Sequence, residues 1–186
     1  MKKISGLFLL FCLLLFAVGC GNNEVQQEDA ASEVKLEDML TSIKEQIATD
    51  YKASGVEEEL LVDGNLQGFN EIDLMDKDSE SSSMVYIEKL KLKTEQLAEG
   101  FILVPMMNVK SDEIILLKAK DKEQVENLKE ILEAEKRSQI ETWERYLPDQ
   151  YEKVKNNVIK TDGQYLLYVT YDYPEKIVQV FEESLQ

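Results

Sequence analysis

Apolar residues recur along this chain at two spacings, and each spacing predicts its own element. Leu36, Met39, Leu40, Ile43, Ile47 and Tyr51 fall at three- and four-residue steps. That is one face of an amphipathic helix over about 33–53, with Ser32 as N-cap and Gly55 as the stop. Thr94 to Glu99 reads as a short helix closed by Gly100. Phe101 to Val109 and Glu113 to Ala119 are apolar runs joined by Lys110-Ser111-Asp112, which predicts an antiparallel hairpin. Pro105 lacks an N–H, so its strand should lie at an edge or carry a bulge. Asp121 then caps a long helix with Gln124 as its capping-box-like partner. Val125, Leu128, Ile131, Leu132, Ile140 and Trp143 form that helix's apolar face. Pro148 suits the first turn of a helix running to Asn156. Val158 to Thr161 and Gln164 to Tyr171 read as strands around Asp162-Gly163. Asp172, with Glu175 three residues later, opens a last helix carrying Ile177, Val178, Val180, Phe181 and Leu185. Helices alternating with short antiparallel strands predict an α+β fold: a small sheet of about 3–4 strands, covered mainly on one face by amphipathic helices.

Between Gly55 and Glu88 the pattern fades into charge. This stretch holds ten acids and one base, Lys77. Leu60-Leu61-Val62 before Asp63-Gly64 suggests a short strand and turn, and Asp76 to Ser83 an exposed loop. Asp76, Asp78 and Glu80 are spaced like the start of a calcium loop. Ser81 and Ile87, however, stand where such a loop needs its glycine and its bidentate acid. They are weak metal candidates, and the ordinary reading is a solvated acidic face.

The N-terminus changes the picture. Lys2 and Lys3 precede an almost unbroken apolar run from Ile4 to Val18. A positive start, an apolar centre and small residues before a boundary make a secretory signal. The run is shorter than the roughly 20 residues a membrane-spanning helix needs. Its end, Ala17-Val18-Gly19-Cys20, resembles the lipobox of bacterial lipoproteins, with Ala17 in place of the usual leucine. The resemblance implies cleavage before Cys20 and a diacylglycerol on its thiol. Residues 1–19 would then be a signal peptide and 20–32 the lipidated cysteine with a polar tether. Residues 33–186 would form a single domain, divided into an N-terminal helix and acidic region (33–92) and a core (93–186). Cys12, the other cysteine, would leave with the signal, so the mature domain would have neither a disulfide nor a cysteine metal site. The implied localisation is the extracytoplasmic face of the cell membrane, with the bilayer held through acylated Cys20.

Composition narrows the chemistry. The chain has 186 residues, 37 acids, 21 bases and no histidine, for a net charge of -16. Lack of histidine removes Ser-His and Cys-His catalysis and histidine-bound metal. The negative charge argues against nucleic acid as a partner. No motif calls for a cofactor.

The C-terminal half carries a second resemblance. Met106 to Ile114 runs into Leu117-Lys118-Ala119-Lys120-Asp121. The long helix, Tyr146-Leu147-Pro148-Asp149-Gln150-Tyr151 and Gly163-Gln164-Tyr165 follow. Over about 94–185 this is similar to a Gram-positive lipoprotein family described only as a domain of unknown function. It implies a location and no activity. Two local features remain as candidate contacts. Asp112-Glu113 opens a strand, as turn and strand-start acids paired with Lys118 or Lys120, or as a partner-facing contact. Tyr168 and Thr170 alternate with Tyr165, Leu167, Val169 and Tyr171, so an open sheet face would expose them as a binding surface. The expected function is a non-enzymatic binding domain with a protein partner in the cell envelope. The alternative is a small-ligand or calcium-binding accessory lipoprotein of a transporter.

Overall fold

The computed structural model describes residues 34–76 and 82–186. The signal, Cys20, the tether, Ser32, Asp78 and Glu80 lie outside the described residues. Residues 34–186 fall in one compact unit. Its elements run α1 (Leu36–Ala53), β1 (Leu61–Val62), β2 (Asn65–Leu66), β3 (Phe69–Asp73), α2 (Ser82–Leu90), β4 (Leu97–Pro105), β5 (Glu113–Ala119), α3 (Val125–Trp143), α4 (Pro148–Lys155), β6 (Val158–Asp162), β7 (Tyr165–Thr170) and α5 (Pro174–Ser184). The fold is α+β, as the pattern predicts. The main sheet has five antiparallel strands in the order β3-β4-β5-β7-β6, and β1 and β2 pair separately.

The sheet is larger than expected and is covered on both faces. Ile114, Leu116, Leu167 and Val169 pack under α1 and α5 against Leu40, Ile43, Ile47, Ile177 and Phe181. Ile102, Ile115, Leu117, Leu166 and Tyr168 pack on the other side against Leu90, Leu128 and Leu132 from α2 and α3. Every residue of β5 is buried. A strand buried on both sides loses its polar alternation and reads as a continuous apolar run, which is how Glu113–Ala119 looks in sequence. Tyr168 and Thr170 are therefore not a binding surface: they are 0% and 1% exposed. The alternation holds, but α3 covers the face expected to be open.

Three local expectations change for identifiable reasons. Helix α1 starts at Leu36 without a side-chain cap from its own neighbours. Glu99 of β4 supplies one instead, accepting from the Leu36 N–H at 3.0 Å. The helix does end by Gly55, at φ +94°. Thr94–Glu99 is not a helix: only a 3-10 turn at Thr94–Gln96 forms before β4 begins at Leu97. Gly100 lies inside β4, where a Cβ would come within 3.0 Å of Leu74 Cδ1. Its glycine serves close packing, not helix termination. Pro105 sits on an inner strand and not at an edge, because β3 pairs beyond β4; the strand does carry a register shift, between Leu97 and Glu99, away from the proline. It is the last residue of β4. Met106 N–H donates to Gly68 O at 2.9 Å, so the proline nitrogen faces away from β3. On that side pairing with β5 has already ended at Leu103–Ile114, so no ladder bond is lost.

Asp63 and Gly64, both at positive φ, close the β1–β2 turn as expected. The β6–β7 turn sits one residue later than expected, on Gly163-Gln164, because Asp162 pairs with Tyr165. Asp121 accepts from the N–H groups of Glu123 and Gln124 and so caps the entry to α3, while the Gln124 side chain turns to Gln96. Asp172 does not cap α5, which starts at Pro174 after Tyr173. The division at 92/93 has no counterpart in the sheet, since β3 pairs along β4.

Candidate functional site

The acidic stretch and the β4–β5 hairpin, separate in sequence, meet at one end of the sheet. A cleft of about 250 Å³ opens there between α2, the 106–112 loop, the first residue of β5 and the C-terminal half of α3. Tyr86, Lys89, Asp112, Glu113, Gln139 and Trp143 line it.

Its floor is a buried ionic network on the α2/α3 side of the sheet. Glu113 shares a strand face with Ile115 and Leu117, so its carboxylate points under α2 and α3. Lys89 Nζ reaches Glu113 Oε1 at 3.3 Å and Glu135 Oε1 at 2.8 Å. The two glutamate side chains are 5% and 4% exposed, while Lys89 is 39% exposed. Gln139 Nε2 donates to Glu135 Oε1 at 2.6 Å, and Trp143 Nε1 donates to Gln139 Oε1 at 2.9 Å. Glu135, Gln139 and Trp143 are spaced four apart, so one stripe of α3 carries this polar chain. Tyr168 lies beneath. Its buried hydroxyl lies against the Glu113 carboxylate and the Thr170 side chain and hydrogen-bonds them.

One ammonium between two buried carboxylates leaves the charge unbalanced. Burial pushes the Glu113 carboxyl up from 4.5 to about 7; Lys89 opposes the shift and Glu135 adds to it. Burial alone would lower the Lys89 ammonium, but Glu113 and Glu135 outweigh it and hold it above its ordinary range. Burial, then the Glu113 charge, drives the Tyr168 hydroxyl upward, so it stays protonated. Burial thus biases the Glu113 carboxyl toward its neutral, protonated form.

The loop side has its own network. Lys153 of α4 pairs with Asp112 Oδ1 at 3.0 Å and with Asp172 at 2.8 Å. Burial raises the Asp112 carboxyl despite Lys153, and Asp112 Oδ2 has no hydrogen-bond partner. Gln150 Oε1 accepts from Ser111 N–H at 2.9 Å, and Lys110 Nζ donates to Tyr51 OH at 3.1 Å. The loop is therefore pinned from Lys110 onward. Before that point it presents its apolar residues to solvent. Met106 is 63% exposed, Met107 56% and Val109 44%.

Sequence reasoning names Asp112 and Glu113 but gives them the wrong partners. Lys118 lies on the opposite sheet face and pairs with Glu99 at 3.2 Å. The actual partners, Lys153 and Lys89, come from α4 and α2, and both acids are too buried to meet a partner at the surface themselves. Glu135 escapes it. Its signal is nevertheless present: between Leu132 and Trp143 the apolar stripe of α3 passes through Glu135 and Gln139. Of the calcium candidates only Asp76 is described; its backbone N–H donates to Asp73 O at 3.2 Å. Among the described residues no His, Cys, Asp and Glu cluster has the geometry to hold a metal ion. No described helix is long and apolar enough to cross a membrane.

No curated protein and no solved structure matches this chain. A family match runs over residues 70–171, from β3 to just past β7. It begins well before residue 94, the start read from the sequence, and it ends before α5. It contains Lys89, Asp112, Glu113, Glu135 and Trp143. Matched over more than half its length, the chain belongs to the domain of unknown function family DUF4358.

Proposed function

We propose that this protein is a lipid-anchored lipoprotein on the extracytoplasmic face of the membrane, and that its domain is a non-enzymatic binding module working through the α2/α3 cleft. The anchor reading is supported by the Lys2-Lys3 start, the apolar run and Ala17-Val18-Gly19-Cys20. Two acyl chains on Cys20 would give stable attachment where one binds only marginally. The observation that carries the binding reading is the exposed rim of Met106 and Met107 above a cleft floored by buried carboxylates. Methionine suits a surface that adapts to a partner, and exposed apolar residues beside polar ones mark interaction sites.

Two measurements test the two halves. Cys20→Ser should move the protein from the membrane fraction to the soluble fraction; retention on the membrane would remove the lipid anchor. A photo-crosslinker at Met107 should join a discrete envelope protein in living cells, where one at Glu126, exposed near the start of α3, should not. Equal products from both positions would remove the cleft as the binding face. A second reading, a small-ligand accessory lipoprotein of a transporter, is favoured by the cleft's 250 Å³, which suits a small group better than a protein surface. Its calcium form rests on Asp76, Asp78 and Glu80. An unchanged melting temperature at millimolar calcium would remove that form.

A further inference from the structure

Five of the eight exposed large apolar and aromatic side chains among the described residues gather at one end of the sheet: Met106, Met107, Val109, Tyr146 and Tyr173. The register places them together. Met106 N–H donates to Gly68 O just before β3, and the loop that follows leads into Glu113. Glu113 pairs with Thr170, so Tyr173 leaves β7 at the same end, its ring 6.2 Å from that of Tyr171. Trp143 lines the cleft beside the loop, and the Tyr146 ring lies 5.5 Å from it. The chain enters the domain at the opposite end. Val34 O accepts from the Tyr165 hydroxyl at 2.9 Å and from Lys118 Nζ at 3.5 Å, and Lys118–Tyr165 closes the β5–β7 ladder. An anchor at Cys20 therefore holds the domain by the end opposite the exposed cluster. For the cluster to reach the headgroups, the 13 residues between Cys20 and Val34 would have to run back along the domain. The strand they would pass, Glu113 to Lys118, is about 17 Å long. Charge argues the same way. Residues 34–186 hold 33 acids and 19 bases, a surplus of 14 negative charges that anionic headgroups repel, as would a second copy of the chain. Among the exposed residues of 106–112, 141–150 and 171–175, Glu141, Glu144, Asp149, Asp172 and Glu175 are acids and Arg145 is the one base.

We propose that this end is the docking face for a second, different envelope protein, reached on the side of the domain turned away from the bilayer, and that it takes an apolar side chain of that protein flanked by lysine or arginine. This rests on the reading of the chain as an anchored binding module, and adds the partner's chemistry and its side of approach. The methionine side chains at 106 and 107 can reshape around an apolar residue. The rings of Tyr146 and Tyr173 offer flat apolar surface with a polar tip. Basic flanks on the partner meet the exposed acids, which steer approach and fix orientation more than they add affinity.

Two measurements test it. With Cys12 lost in the signal and Cys20 acylated, one introduced cysteine carries a dye at one place. The full lipidated chain in phosphatidylglycerol vesicles doped with a headgroup-nitroxide lipid would carry the dye at Met107→Cys or at Asp162→Cys, beside Tyr165 at the tether end. The nitroxide should quench the dye at Asp162→Cys more strongly. Quenching at Met107→Cys that equals or exceeds it would make the bilayer the occupant and overturn the proposal. In living cells, photo-crosslinkers at Met107, Tyr146 and Tyr173 should join one and the same protein, and one at Asp162 should not. The peptide joined at Met107 should hold an apolar residue beside lysine or arginine. Met107→Asp should cut the Tyr173 product by about tenfold. A product that is this chain itself, or a joined peptide flanked by acids, would overturn the proposal. A discrete protein joined at Met107 but not at Tyr146 or Tyr173 would sink this inference and leave the binding module standing.

Discussion

The two faces of the sheet are built from the same strands and solve burial in different ways. On the α1/α5 face the core is apolar: Leu36, Ile43, Ile47, Leu116, Val169 and Phe181 are each at most 1% exposed, and the buried charges Lys44, Asp50 and Lys118 lie around it. Its ion pairs, Lys44–Glu71, Lys118–Glu99 and Lys176–Asp50, each match one buried side chain to one partly exposed partner, one ammonium to one carboxylate. On the α2/α3 face the apolar cluster stops short of one end, where Glu113, Glu135 and Lys89 take over. A protein seeking only stability would fill that end with leucine, since buried ion pairs replaced by well-packed apolar groups are often neutral or stabilising. One face holds the domain together. The other gives up stability at one end in order to keep a charged, partly open floor.

The sharpest way to break this contrast is to attack the closed face. Phe181→Ala removes a ring that is 1% exposed, wedged between α1 and the sheet. The loss should be about 3–5 kcal/mol, read from denaturant unfolding. A cost below about 1 kcal/mol would mean that the α1/α5 face is not the main stabilising core.

The charged floor should respond in the opposite sense. Folding lifts Glu113 from 4.5 to about 7, so between those values the folded protein holds a proton that the unfolded chain has lost. Stability from this group therefore falls as pH rises through that window, by up to about 3 kcal/mol above pH 7. Below pH 4.5 the group makes no difference. Glu113→Gln keeps the shape, removes the titration and leaves Lys89 its partner Glu135. The variant should match the parent at about pH 4 and exceed it in stability at about pH 8. A variant less stable than the parent at the higher pH would show that the Lys89–Glu113 pair outweighs the cost of burying Glu113.

Gly100→Ala probes packing on the same side, away from the charges. The new methyl would meet Leu74 Cδ1 at 3.0 Å and Leu74 Cβ at 3.3 Å. The cost should be about 1–3 kcal/mol by thermal unfolding, with no change in the pH profile. A neutral outcome would show that Leu74 yields, and that the α2/α3 face is soft beyond its charged end.

The two faces also differ in how well the sequence discloses them. The closed face is readable because its helices carry their apolar residues at regular steps: Leu36, Met39, Leu40, Ile43 and Ile47 on α1, Ile177 and Phe181 on α5. The α2/α3 face is only half readable. β3 buries a single fully apolar side chain, Ile72, and its Glu71 is placed to meet Lys44, so it looks like an acidic loop. α2 leaves Met84 and Val85 exposed and buries Leu90 and Ser83, so its pattern points the wrong way. Glu113 is visible as a residue but not as a site. Its partners lie on α2 and α3, and no local spacing encodes a contact made by folding. The break in the α3 stripe at Glu135 is the one local trace of the floor. A polar residue on an apolar stripe needs a buried partner, and that requirement is legible in the amino-acid pattern alone.

The smallest expected effect completes the contrast, because it concerns charges that do nothing for either interior. Lys160 of β6 pairs with Glu182 of α5 at 2.8 Å, but both side chains are nearly half exposed, at 44% and 48%. Water screens such a pair, and holding two long side chains in one geometry costs entropy. Lys160→Ala should change stability by less than about 1 kcal/mol, and added salt should shrink the difference further. The distances offer no guide here: Lys160–Glu182 and Lys89–Glu135 are both 2.8 Å. What separates them is that Glu135 is 4% exposed and Glu182 is not, so loss of Lys89 strands a buried charge while loss of Lys160 strands nothing. A Lys160→Ala cost as large as that of Lys89→Met would erase the distinction between marginal and buried charge on which the reading of the cleft depends.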